Sequence, residues 1–234
     1  MIVERNPNIC IHYIVGVSVG HGIQPTAIAV VEQETMKRKG WETESLPLRV
    51  RHLERLPLDA GYPGAVAEVH KLLKRKELKD AEQSSGGSDL IVDITGTSRA
   101  VAKLMGEVGL KPITVTVTAG AGETKNSEDA NDWRVSRTEL IANLQMGYQM
   151  GRIKMSGDLE LTRPLCEELQ TVKLRAPTLN ASDPESWREG PQDDLVLAVG
   201  LAVWRAGKDI PVPQSITDHW TAKLHDKKQW RGIV

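Results

Sequence analysis

The chain has 234 residues, 40% of them apolar, no Phe and six Trp, so an ordinary core is expected to be built from aliphatics and indoles. A formal net charge of −1 provides no global field for nucleic acid, and any such contact must use a local patch. Cys10 and Cys166 are too few for a disulfide framework and read as buried free thiols, and no apolar run reaches the ~18 residues of a membrane span. With no signal-peptide pattern at Met1–Pro7, the expected setting is the cytoplasm, away from membranes.

His12 to Gly20 reads as a strand, bounded by Gly20-His21-Gly22 and Pro25, and Thr26 to Glu32 as its hairpin partner. A third strand is expected between Glu42 and Arg55, with one wet face or an edge position. Pro63-Gly64 opens a helix in which Val66, Val69, Leu72 and Leu73 follow helical spacing. Ser84 to Ser88 is a flexible connector. Leu90-Ile91-Val92-Asp93 is a short apolar strand ending in a carboxylate. Thr95 to Ser98 then turns into a helix with Val101, Leu104 and Met105 inward, and Lys111 to Thr118 is the next strand. That unit is a parallel crossover, so a mixed sheet follows.

Ala119 to Asn131 reads as a mobile surface loop. Ser136-Arg137-Thr138-Glu139 is a capping box that starts a helix with Leu140, Ile141, Leu144 and Tyr148 on one stripe, stopped by Gly151. Arg152 to Met155 suggests an edge strand, and Leu161, Leu165, Cys166, Leu169 and Val172 mark another helix. Pro177 to Pro184 is loop. Gly190-Pro191 looks like a helix start, and the nearly all-apolar run to Val203 predicts a buried helix. Asp193 and Asp194 would then stand at the positive end of its dipole, at the edge of the core. Residues 1–207 are expected to form one domain and 208–234 a tail, in which Trp220 and Trp230 stand among lysines and Arg231.

Three antiparallel strands, an α/β unit and a last helix carrying acids is the order of an RNase H-like α/β domain, a mixed five-stranded sheet flanked by helices. Carboxylates from the first strand, a later parallel strand and the last helix converge there. They can hold two hard cations about 4 Å apart, one activating water and one stabilising the leaving oxygen in phosphodiester cleavage. Asp93 and the Asp193/Asp194 pair fit two of the three places.

At these residues the chain resembles the nuclease domain of the phage DNA-packaging terminase large subunit. The matching segments are Ile14 to Gly20 with Pro25 to Ile28, Val92 to Gly96, Trp133 to Arg137 running into Glu139-Leu140, and Arg188-Glu189-Gly190 with Asp193 to Ala198. The resemblance spans roughly residues 12–205 and implies Mg²⁺- or Mn²⁺-dependent cutting of double-stranded DNA in genome packaging. The implied catalytic set is Asp93, Asp193, Asp194 and Ser18, with Asp93, Asp193 and Asp194 as metal ligands. Ser18 stands where the family has an Asp, Gln192 where it has His, and Gln24 where Asp is frequent. Ser is a neutral, weak ligand, so the site would be one anion short.

No Gly-x-x-x-x-Gly-Lys-Ser/Thr occurs, so the chain reads as a free-standing nuclease-like domain, one half of a split terminase or a decayed prophage product, with a terminase ATPase or small subunit and a portal as candidate partners in trans. Lys125, Arg134, Arg137, Arg152 and Lys154 are candidate phosphate contacts, and His21 a candidate stand-in ligand. Two rival readings differ in class. One is a catalytically silent RNase H-like module that binds DNA or packaging proteins, supported by Ser18. The other is an actin-like or sugar-kinase-like ATP site, faintly echoed by Gly16-Val17-x-Val19-Gly20 and Asp93-x-Thr95-Gly96-Thr97, although that fold needs two lobes.

Overall fold

Apolar residues at both parities of the first strand decide the layering. In the computed structural model, which describes residues 9–20, 24–37, 43–45, 47–84, 87–172 and 193–208, β1 (Ile9–Ser18) lies inside the sheet. Ile14 belongs to one hydrophobic core, and Tyr13, Val15 and Val17 belong to the other. Successive side chains of a strand point to opposite faces, so a strand with both parities apolar must be covered on both sides. Helices α1 (Gly61–Leu73), α2 (Lys76–Ser84) and α3 (Arg99–Glu107) supply one layer. Helices α4 (Arg137–Gln149), α5 (Thr162–Thr171) and α6 (Asp194–Lys208) supply the other.

The expected hairpin forms, with β2 (Ala27–Lys37) antiparallel to β1 and β4 (Leu48–Arg55) antiparallel to β2, while a short β3 (Thr43–Ser45) also pairs with β2. The crossover places β5 (Ser88–Asp93) parallel to β1 and β6 (Ile113–Thr118) parallel to β5. These five central strands, in the order β4-β2-β1-β5-β6, are the predicted mixed sheet. The sheet is larger than predicted, however. Among the described residues it has nine strands, ordered β7-β8-β6-β5-β1-β2-β4-β9 with β3 beside β2.

The additions come from short, charged segments. Part of the expected loop, β7 (Glu123–Lys125), forms a hairpin with β8 (Asp132–Ser136), and β8 runs parallel to β6. Three exposed residues, Glu-Thr-Lys, carry too little alternation to announce a strand, and backbone pairing to β8 creates it. At the other edge β9 (Ile153–Met155) pairs parallel with β4, as expected for an edge segment.

Two local expectations need correction. Ser136 accepts a 3.5 Å hydrogen bond from the Glu139 N–H, but Glu139 turns its carboxylate to the N–H of Gly122 at 2.9 Å. Ser136 N–H in turn donates to the Gly122 carbonyl, so the reciprocal half of the capping box is spent on docking the β7–β8 hairpin. Tyr148 is 47% exposed, because α4 buries only Leu140, Ile141 and Leu144. Cys10 and Cys166 are free thiols as expected, but half-buried.

Helix α6 is the core of the molecule, with Leu195 through Ala202 all buried. A Cβ on Gly16 would lie 2.1 Å from the Ala198 carbonyl oxygen, so the backbones of β1 and α6 touch where no side chain fits. Buried side chains satisfy both ends of this helix. Glu168 Oε2 accepts from the N–H groups of Leu195 and Val196, each at 3.1 Å, and Gln33 Nε2 donates to the Ala206 carbonyl at 3.1 Å. Among the described residues no helix is long and apolar enough to cross a membrane. The predicted start at Gly190-Pro191, the loop 177–184 and the tail beyond Lys208 lie outside the described residues.

Candidate functional site

The sheet register brings the predicted residues together. Ser18 pairs with Ala27, Ala27 with Arg55, Val17 with Val92, and Asp93 with Val115. One further step of the β1–β5 register places Ser18 beside Asp93, both at the C-terminal ends of parallel strands. The first turn of α6 crosses this rim. Ser18, Asp93, Asp193 and Asp194 therefore line one cavity of about 10 Å³, together with Gly20, Gln24 and Leu197. Asp93 is 2% exposed, Ser18 6%, Asp193 7% and Asp194 5%. His21 and Gln192 lie outside the described residues.

Buried carboxylates require partners, and the partners here are mostly not those the sequence suggested. Asp194 is held by Arg55, with Nε 2.7 Å from Oδ2 and Nη2 3.1 Å from Oδ1, a fork-to-fork geometry. The same guanidinium also donates to Glu168. Asp193 accepts from Arg137, whose Nε lies 3.1 Å from Oδ2 and whose Nη2 also donates to it. Asp93 Oδ1 accepts from the Thr95 N–H at 2.8 Å and from its hydroxyl, while the Val117 N–H donates to that hydroxyl oxygen at 2.8 Å. Among the described residues no three His, Cys, Asp or Glu side chains are grouped as a set that could hold a metal ion.

Glu168 and Arg55 were not singled out by sequence reasoning, although each left a trace. Glu168 sits three residues after Leu165 and four before Val172, inside the apolar stripe of α5, where a carboxylate must find a partner. Arg55 shares strand parity with Leu53, a core residue. Its facing was nevertheless hidden by a bulge. Val50 pairs with Val31 and His52 with Val30, so Arg51 is skipped and every later side chain changes face. Of the other cations proposed for phosphates, Arg137 reaches the acid site. Lys125 and Arg134 line a separate groove, Arg152 lines an apolar cleft beside Met146 and Met150, and Lys154 is exposed on β9.

Burial first, and then the Asp194 carboxylate, push the Glu168 carboxyl up to about 7, against the pull of the Val196 N–H and Arg55. Burial likewise pushes Asp194 up, opposed by Arg55. A carboxyl with a folded pKa above its unfolded value binds protons more tightly when folded. The stability it contributes is full below about pH 4.5 and is lost as pH rises through about 7. Thermal melts between pH 5 and 8 should therefore fall more steeply for the wild type than for Glu168→Gln; parallel curves would reject this assignment.

A mixed sheet between two helical layers, with Asp93 and the Asp193/Asp194 pair at its rim, is the expected RNase H-like α/β fold. The nuclease domain of human cytomegalovirus terminase, in a manganese-soaked and inhibitor-bound form, superposes with a TM-score of 0.51 at 15% identity, covering 86% of this chain and 86% of that one. The large-terminase nuclease of the thermophilic phage G20c aligns at 16% identity over 84% of this chain and 82% of its own, with a TM-score of 0.47. No protein-family model matches the chain, and no curated protein matches it. The chain thus has the fold of a terminase nuclease domain.

Proposed function

We propose that this chain is a terminase-type, metal-dependent endonuclease domain that cuts double-stranded DNA in phage genome packaging. The observation that supports this most is the convergence of Asp93, Asp193 and Asp194 from β5 and α6 on one cavity beside the end of β1. In kind the donors suit a hard cation, since all are carboxylate oxygens, and about 10 Å³ is the room of one small ion or water. Asp93, Asp193 and Asp194 would hold Mg²⁺ or Mn²⁺. Such an ion supplies an acidified water and charge stabilisation at the phosphate.

The chain's own residues fix the rest. Arg55 and Arg137 hold the two α6 acids in place, and each must yield part of that pairing for a cation to enter. Glu168 anchors the turn that carries both acids. The domain is taken as residues 1–207 with 208–234 as an appendage.

One observation favours a second reading, a silent module that binds DNA or packaging proteins. The arginines already neutralise both α6 acids, and Ser18 adds no charge. Cleavage of supercoiled plasmid with Mn²⁺ and with Mg²⁺ decides between them. The nuclease reading expects wild-type cutting and a loss of roughly 100-fold or more in Asp93→Asn and in Asp194→Asn. A wild type that binds DNA without cutting it would establish the silent module.

A further inference from the structure

On the opposite face of the sheet from α6, the β6–β8–β7 extension forms a groove of about 530 Å³, lined by Arg99, Lys125, Arg134, Thr116, Asn126 and Asp132 among others. Val115, Val117, Trp133 and Val135 turn to the α6 core. Thr116 and Arg134, which pair in register, must then face the other way. Arg99 enters from the first residue of α3.

The arginines of this groove differ from six others among the described residues. Arg49, Arg51, Arg55, Arg137, Arg163 and Arg205 each pair with a carboxylate. Arg99 and Arg134 pair with no described acid, and both are exposed. Lys125 pairs in register with Trp133 and rests over its ring at 5.2 Å, so its ammonium stands on the α6 side of the sheet and only its backbone borders the groove. The one carboxylate in the lining, Asp132, is engaged by Asn126 at 3.0 Å and Thr114 at 3.2 Å. Two arginines, hydroxyls and an amide along an open polar channel complement a run of phosphates and offer nothing to an apolar ligand.

We infer that this groove binds the phosphate backbone of duplex DNA, with Arg99 and Arg134 as its cations. The choice of DNA as occupant rests on the proposed function, and continuity with the acid site supports it. The strand that carries Arg134 runs directly into Arg137, the partner of Asp193, and α3 begins just after the turn that holds Asp93. The Arg99 end of the groove therefore points toward the rim on which those acids stand. Phosphate contacts of this kind position the duplex without reading its sequence.

Binding of a short labelled duplex, followed by anisotropy across a KCl series in EDTA, tests this without requiring cleavage. Arg99→Ala and Arg134→Ala should each weaken binding roughly tenfold at about 0.1 M salt and flatten the log K against log salt slope by about one, the double variant by about two. Lys79→Ala, on exposed α2, serves as the control and should bind as wild type. Unchanged slopes in the double variant, or no duplex binding by the wild type, would overturn the groove and leave its cations to an acidic protein partner. Wild-type binding with the predicted slopes but no plasmid cutting would retire the nuclease reading alone.

Discussion

Ser18→Asp is expected to convert a weak metal site into a strong one, raising plasmid cutting in Mn²⁺ by about 100-fold or more over wild type. Ser18 is 6% exposed and stands beside Asp93, so the new carboxylate meets a like charge in a nearly dry place. Without metal it should lower the melting temperature, because two adjacent carboxylates cannot both ionise cheaply. With Mn²⁺ added the variant should recover, and the metal-induced rise in melting temperature should exceed that of wild type, since a ligand that binds only the folded state stabilises it. A melting temperature indifferent to Mn²⁺, together with unchanged cutting, would mean that Ser18 is not the missing ligand position. The thermal readout keeps the test informative even if the wild type proves to be a silent module.

Arg55→Met is expected to cost about 3–5 kcal/mol of folding stability at neutral pH, the range for removing one partner of a buried charge pair. The substitution leaves Asp194 without its bidentate partner and Glu168 without its cation, both under one-tenth exposed. Glu168 offsets part of this by taking up a proton, so the loss should shrink as pH falls below about 7. Arg55→Lys should recover little, because a single ammonium cannot make the forked contact. Denaturant titration at two pH values measures both effects. A loss below about 1 kcal/mol would place the Arg55 pairing among weak surface ion pairs, and the α6 acids would then be available to a cation at no structural cost.

The two predictions pull on one balance. In the proposed function, arginine pairing and metal binding would compete for the same carboxylate oxygens of Asp193 and Asp194, so weakening either arginine should favour the cation while loosening the fold. Ser18 enters that competition on the side of the arginines, since it removes one anion that would attract metal.

Much of this was legible in the sequence. Continuous apolar runs mark β1 and β2, two-residue alternation marks β6, and 3.6-residue spacing marks α1, α4 and α5, because these patterns are local properties of the chain. Asp93 at a strand end and the acid pair before an apolar helix could be named for the same reason: each is defined by its immediate neighbours. The order of elements then implied that they meet. What the sequence could not supply is how those acids are held. Arg55 reaches Asp194 across 139 positions and Arg137 reaches Asp193 across 56, and no local pattern records such distances. The facing of Arg55 depends on a single skipped residue, Arg51, in the pairing of β4 with β2. The edge strands β7 and β8 likewise exist by backbone hydrogen bonding to neighbours rather than by their own composition. The sequence thus determined which acids belong to the rim, while long-range packing decided their counter-ions, because desolvating a carboxylate demands a partner and only the fold chooses which one is near.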